Sequence, residues 1–194
     1  MGCPFEGGPM TEGDLAALIG SRLCHDLANP LGAIGNGVEL LQMTQPPAPE
    51  LELLAEAVKG AQARLQLFRL AFGAARDDQT VSPQQIDAAL TGLEGRLSLR
   101  SDITGALPRP RARRLMLAVL CAETALAWGG TITVTETGVL AEAPRLRLDD
   151  GVWQALAAGA PPRDVVSAQV HFVLLAAGGP VTVEAGDTAL RLTV

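Results

Sequence analysis

The segment spanning residues 21–32, with the sequence SRLCHDLANPLG, holds the residues best suited to chemistry. It places His25, one of only two histidines in the chain, directly before Asp26, with the amide of Asn29 one helical turn later. A nucleophilic histidine needs one free ring nitrogen and a partner that fixes the tautomer of the other, and an adjacent carboxylate can be that partner. The pattern predicts phosphoryl acceptance on His25. An isolated surface His-Asp pair is more often just a solvated polar pair without a chemical role. The surrounding residues decide between that interpretation and a phosphoacceptor.

Helical periodicity predicts which face carries this histidine. Apolar residues that recur at spacings of three and four stay within about 40° of one direction at 100° per residue. We expect them to form the buried face of a helix: Leu23, Leu27, Leu31, Ile34, Val38 and Leu41. His25 falls roughly 160° from that direction on the helical wheel, so it should be exposed, with Asn29 close by.

The residues around His25 are small or polar. Gly32, Gly35 and Gly37 each cost about 1 kcal/mol relative to alanine inside a helix, which suggests that another backbone approaches closely. Pro30 removes one helical hydrogen bond and predicts a kink or a loosened turn. A macromolecular partner is therefore expected to dock over this surface, with contacts at Arg22, Gly32 and Asn36.

The string His-Asp-x-x-Asn-Pro resembles the phosphoacceptor box of dimeric sensor histidine kinases. With its continuation GAIGNGVELL over residues 32–41, the chain more closely resembles the ChpT-like histidine phosphotransferases of bacterial phosphorelays. The resemblance implies a kinase-like dimerisation hairpin joined to a degenerate ATPase-like domain. It also implies that His25 carries the phosphoryl group, that Asp26 orients its imidazole, and that Asn29 neighbours the phosphoryl group or a docked receiver domain.

Composition limits the possible partners. The 15 basic and 21 acidic residues give a net charge of −6, which argues against nucleic acid. Cys3, Cys24 and Cys121 are too few and too scattered for a disulfide framework or a zinc site, so a reduced, cytoplasmic setting is expected. No signal peptide is apparent, and no stretch approaches about 20 apolar residues, so no membrane span is expected.

The one dense basic cluster is local and comprises Arg109, Arg111, Arg113 and Arg114. It could bind an acidic partner surface, or it could be the solvated entry of a helix. The sequence alone leaves both possibilities open.

We predict a loose, glycine-rich leader over residues 1–13 and a helical-hairpin dimerisation and phosphotransfer domain over residues 14–78. The first helix would start at a cap on Asp14 and stop at the proline-rich turn 45–49. The second helix carries an apolar heptad seam: Leu51, Leu54, Val58, Ala61, Leu65, Phe68 and Phe72. Two helices bury too little on their own, so a homodimer forming a four-helix bundle is expected. Packing of the hairpin only against its own C-terminal domain is the alternative.

Residues 79–194 are predicted to form a degenerate ATPase-like domain, an α+β sandwich with helices on one face of a mixed sheet. We expect helices at 83–91, 111–128, 152–158 and 164–177, and strands at 96–103, 131–137, 145–148, 181–185 and 189–194. The last two strands should form a hairpin around Gly186-Asp187. His171, Trp128 and Trp153 are interpreted as packing residues.

The nucleotide chemistry of the resembled kinase domain is missing from this sequence. Glu123 and Thr124 stand about where its magnesium-binding asparagine would lie, and the segment Asp149-Asp150-Gly151 lacks the second glycine of its adenine-binding box. We therefore expect no cofactor of the chain's own, with Mg²⁺ supplied by the partner receiver domain.

The leading interpretation is a phosphotransferase that moves a phosphoryl group between aspartates of receiver domains. The receivers would belong to a hybrid histidine kinase and to response regulators. One alternative is an ATP-dependent, autophosphorylating histidine kinase. The other is a non-catalytic module that only binds and sequesters a regulator.

Overall fold

The computed structural model describes residues 11–148, 151–163 and 165–194. Two long helices come first, and a domain of short helices and a mixed sheet follows, so the predicted α+β class is confirmed. The helices are α1 (Glu12–Thr44), α2 (Pro49–Phe72), α3 (Pro83–Leu90), α4 (Arg109–Ala125), α5 (Gly151–Ala157) and α6 (Val170–Ala177). The strands are β1 (Thr80–Val81), β2 (Leu97–Ser101), β3 (Leu107–Pro108), β4 (Gly130–Val134), β5 (Gly138–Glu142), β6 (Thr182–Ala185) and β7 (Ala189–Thr193).

Helix α1 begins two residues before the predicted start. Its N-cap is Thr11, whose backbone N–H donates to Asp14 Oδ2 (3.0 Å) while the Asp14 N–H donates to Thr11 Oγ1 (3.2 Å). Asp14 therefore closes a capping box from the third helical position, and the prediction that it caps the helix itself is wrong. Residues 1–10 of the predicted leader lie outside the described residues.

The two long helices run antiparallel because a turn of only four residues joins them, and they approach closely at glycines of α1. A Cβ added at Gly20 would lie 2.8 Å from the Phe72 carbonyl oxygen, and one at Gly35 would lie 2.7 Å from Gln62 Nε2. The close approach at Gly35 is thus intramolecular and comes from side chains of α2 rather than from the expected backbone, whereas Gly32 and Gly37 face open space.

This packing corrects the predicted buried face of α1. The face that contacts α2 consists of small side chains together with Val38, and buries Ala17 and Cys24. The prediction is confirmed for Val38, which is buried, but most of the predicted stripe lies beside this face and stays open in the single chain. Its exposed members are Leu23 (57%), Leu27 (57%), Ile34 (52%) and Leu41 (45%).

The C-terminal sheet has the strand order β2-β4-β5-β7-β6, with β2 and β4 parallel and the other pairs antiparallel. The predicted β6–β7 hairpin is confirmed. The strand predicted at 145–148 is wrong, and the partner of β4 is the earlier segment β5. Residues 145–148 instead pass the end of α4, where the Arg147 N–H donates to the Ala125 carbonyl (2.9 Å).

The core lies between the sheet and α4, and the end of α2 joins it through Leu67, Leu70 and Ala71. Trp153 is buried and meets Phe172 edge to face, with ring centroids 4.8 Å apart, as a packing residue should. Trp128 was also predicted to be a packing residue, and this is wrong, because its side chain is exposed beneath the Arg145 guanidinium.

The arginine cluster at the start of α4 takes neither predicted role, because its guanidinium groups bind backbone carbonyls of this chain. Arg109 Nη1 donates to the Leu70 carbonyl (2.8 Å) and Nη2 to that of Arg69 (2.8 Å), and Arg113 Nε donates to that of Ala71 (3.3 Å). These carbonyls belong to the last turn of α2, where C=O groups run short of N–H partners within the helix, although that of Arg69 also accepts from the Gly73 N–H (3.2 Å). The remaining two arginines reach the far side of the domain: Arg111 binds the carbonyls of Glu136 and Val194, and Arg114 those of Gly178 and Pro180.

Replacing Arg109 by methionine should lower the free energy of unfolding by about 2 to 4 kcal/mol, because two charged hydrogen bonds are lost and the Leu70 carbonyl is left without its partner. Urea denaturation of Arg109→Met beside the wild type measures this. Arg100→Met is the matched control, since Arg100 pairs with Asp102 at the surface and the substitution should change stability by less than about 1 kcal/mol. Equal, small effects in both variants would show that the hydrogen bonds from Arg109 to the α2 carbonyls do not stabilise the fold.

His171 is buried on α6 next to the Phe172 ring, and burial, with a smaller contribution from Arg64, lowers its pKa to about 4. The folded chain therefore binds fewer protons than the unfolded chain between pH 4 and pH 6.5, and stability should fall as the pH drops through that window. Between pH 7 and pH 4.5 we expect a loss of about 2 kcal/mol that His171→Gln abolishes. Denaturation curves at pH 7, 5.5 and 4.5 test this, and parallel losses in both proteins would refute it.

Candidate active site

His25, Asp26 and Arg22 form a short polar chain on the outer surface of α1. His25 Nδ1 lies 3.3 Å from Asp26 Oδ1, and Arg22 Nε lies 2.9 Å from Asp26 Oδ2. The His25 side chain is 68% exposed. One ring nitrogen of His25 is therefore next to a carboxylate that an arginine one turn earlier holds in place, while most of the ring is open to solvent.

Helical geometry gathers the other predicted residues on the same face. Asn29 and Asn36 are both exposed, four and eleven residues after His25, which keeps all three side chains on one side of α1. Gly32 lies between them, and a Cβ added there would meet nothing within 4 Å. Pro30 sits inside α1, which continues through it to Thr44. The six predicted residues thus share one face, although Arg22 makes an intramolecular ion pair.

A groove of about 380 Å³ runs beside this face, between α1 on one side and α2 and α3 on the other. Sequence reasoning missed the polar residues that α2 contributes to it. They are Lys59, Gln62, Gln66 and Arg69. Their spacing of three, four and three residues is itself a signal, because it predicts a polar stripe along α2 beside the apolar seam.

Glu123 and Thr124, which stand where the resembled kinase domain would bind magnesium, make contacts within this chain. The Glu123 carboxylate accepts two hydrogen bonds from the Arg64 guanidinium, each 3.1 Å long, and the Thr124 hydroxyl donates to the Cys121 carbonyl (2.8 Å). Asp149 and Asp150 lie outside the described residues. The Arg64–Glu123 pair joins α2 to α4 and so ties the hairpin to the sheet domain.

The described part of the chain offers neither a metal site nor a membrane-spanning helix. It contains no group of three or more His, Cys, Asp or Glu side chains arranged to hold a metal ion. None of its helices combines the length and the apolar character that crossing a bilayer requires.

Comparison with known proteins places these observations in a family. Residues 89–189 match the family model described as the histidine phosphotransferase C-terminal domain. The protein phosphotransferase ChpT of Brucella abortus (strain 2308) is 32% identical over 179 residues, which cover 84% of this chain and 85% of that protein. A solved structure of a bacterial phosphotransferase superposes with a TM-score of 0.62 at 25% identity, covering 96% of this chain and 98% of the other.

Proposed function

Because this chain belongs to the ChpT-like histidine phosphotransferase family, we propose that His25 is the residue through which it works. The chain is a phosphotransferase of a phosphorelay. In the proposal, His25 takes a phosphoryl group from the aspartate of one receiver domain and gives it to the aspartate of another. The observation that carries this assignment is the exposed His25 ring with Asp26 at Nδ1 and Arg22 behind Asp26.

This geometry suits nucleophilic attack by Nε2. With the proton of the neutral ring on Nδ1, facing Asp26, the lone pair of Nε2 points to solvent. Nε2 forms a bond to phosphorus as the bond from phosphorus to the aspartyl oxygen breaks, and the aspartate leaves as a carboxylate. The ring becomes a phosphorylated imidazolium, whose positive charge the Asp26 carboxylate stabilises. No proton has to move, so positioning and charge stabilisation are the main demands on the protein.

The receiver domain is proposed to dock over the His25 face. Asn29 would donate its amide to the phosphoryl group or to the docked receiver, and Gly32 and Asn36 leave room for a partner backbone. Arg22, predicted as a docking contact, would also keep the Asp26 carboxylate in place through its ion pair. Mg²⁺ would arrive in the acidic pocket of the receiver, where carboxylate ligands suit it.

We further propose that two copies associate through the open stripe of α1 into a four-helix bundle. Leu15 and Ile19 extend this stripe toward the start of α1, and they are 46% and 51% exposed. Such a continuous apolar face on one chain marks an interaction site, and each leucine buried there contributes about 1.5 to 3 kcal/mol. An apolar groove of about 420 Å³ between α1 and α2 lies next to the stripe and could receive side chains of the second copy.

Within this proposal the chain divides as the sequence predicts. Residues 14–78 would form the dimerisation and phosphotransfer unit, and residues 79–194 would serve as a docking wall that resembles a kinase ATPase domain in layout. The contacts of Glu123 and Thr124 support a domain without nucleotide, because both side chains are engaged within the chain. An ATP-dependent kinase is therefore the less supported alternative.

Replacing His25 by alanine should abolish labelling by a phosphorylated receiver domain. Asp26→Asn should keep the site but lower the transfer rate by up to about 10²-fold, because the ring loses its orienting carboxylate. Asn36→Ala is a milder variant on the same face and should mainly weaken docking. Transfer of radiolabelled phosphate in single-turnover reactions measures all three. Label retained by His25→Ala would refute the assignment, and full regulation of a partner by that variant would favour the non-catalytic module.

Light scattering should give the wild type a mass of twice the 20.1 kDa chain. Ile34→Glu should yield monomers, because a charge cannot be buried between two copies without a partner. Met43→Glu is the matched control, since Met43 is 84% exposed on the opposite side of α1. A charge at Phe68 would test the dimer less cleanly than one at Ile34, because the Phe68 side chain also packs against the core of its own chain. A wild-type mass near 20.1 kDa would remove the bundle from the proposal.

A further inference from the structure

Arg69 is the charged residue of α2 that stands beside the turn of α1 carrying His25. The groove between α1 and α2 is lined on the α1 side by Cys24, Ala28 and Gly32, which lie one residue before and three and seven residues after His25. Arg69 lines the same groove from α2. Arg69 therefore shares a concave surface with the residues of α1 on either side of His25.

A second depression, also of about 380 Å³, continues from Arg69 toward the sheet domain. On the α1 side it is lined by Ser21, four residues before His25, and on the other side by Gln85 and Arg109. Arg69 lines both depressions, so it lies between them at the level of His25. A partner that covers His25 and fills this surface must meet the Arg69 side chain.

The Arg69 guanidinium is exposed, and in the described part of the chain it has no hydrogen-bond or ion-pair partner. Its backbone, by contrast, is held, because its carbonyl accepts a hydrogen bond from Arg109 Nη2 (2.8 Å). The positive charge of Arg69 acts on α1. Burial raises the pKa of the Cys24 thiol, and the Arg69 charge partly opposes that rise. A fixed backbone with an unpaired cation is suited to binding an incoming anion.

The charge of this surface has one sign. Of the described residues that line the two depressions, the charged ones are Lys59, Arg69 and Arg109, and all are cations. This occurs in a chain whose net charge is −6. Arg109 is already bound to carbonyls, so Arg69 and Lys59 remain for a partner. Lys59 is ten residues before Arg69 on α2, about 15 Å away along the helix.

We propose that Arg69 is a catalytic residue of phosphotransfer, whose guanidinium binds the phosphoryl oxygens while the group is attached to or leaving His25. The planar guanidinium matches two oxygens of a phosphoryl group in a bidentate contact. Lys59 is too far along α2 to share this contact and serves to attract the acidic pocket of the receiver. The inference rests on the proposed function, since it needs His25 as the phosphoryl acceptor.

Phosphoramidate is a small phosphodonor that tests Arg69 without any receiver domain. His25 Nε2 bonds to phosphorus as the bond from phosphorus to the amine nitrogen of the donor breaks, and ammonia leaves. We expect Arg69→Gln to lower the maximal rate of His25 phosphorylation by about tenfold, less than a buried transition-state donor would give, because the site is open to water. Arg69→Lys should recover part of the rate, because the charge is kept and the planar fork is lost.

Phosphorus NMR of the full chain, followed over time at several donor concentrations, measures these rates. Arg100→Gln is the matched control, because it removes an exposed arginine from the sheet domain and should match the wild type. An unchanged maximal rate in Arg69→Gln would overturn the proposal. So would an equal loss in Arg69→Gln and Arg69→Lys accompanied by a lowered Tm, which indicates a structural role. Failure of the wild type to become phosphorylated, or labelling of His25→Ala, would instead refute the proposed function.

Discussion

The contact on which the rest of the molecule depends is the one between the Arg109 guanidinium and the last carbonyls of α2. Burial, with smaller contributions from Arg113 and Arg69, lowers the pKa of Arg109 to about 10, and the group still keeps its charge at neutral pH. That charge is offset by oxygens that carry the negative end of the helix dipole. Because α2 is fixed to α4 in this way, α1 and its His25 face are held at a set position beside α3.

The small-residue contact between α1 and α2 has a second consequence. Since Ala17, Cys24 and the helical glycines take the face toward α2, the large apolar side chains of α1 are left on a neighbouring face. The histidine face is left on the other flank. Close backbone packing thus uses little of the circumference of α1, and two separate surfaces remain for other molecules.

The sequence predicted local structure well and tertiary neighbours less well. The turn 45–49 and the hairpin at Gly186-Asp187 were predictable, because proline and glycine act through the backbone itself. The helical wheel also placed His25 on an exposed face. The groove residues Lys59 and Arg69 were missed, because their position depends on which side of α2 meets α1. The arginines of α4 were misread for the same reason: their partners are carbonyls 25 to 83 residues away, which no local pattern reveals.

The separation of the two open faces bears on how a phosphorelay intermediate can work. The apolar stripe of α1 and His25 lie roughly 160° apart on the helix, so one surface can be covered while the other stays free. A dimer formed through the stripe would leave each His25, and the cations beside it, open to a receiver domain. Successive receivers could then exchange on one histidine without the two copies separating. In such an arrangement the affinity of each receiver for the groove, rather than the stability of the dimer, would limit the exchange.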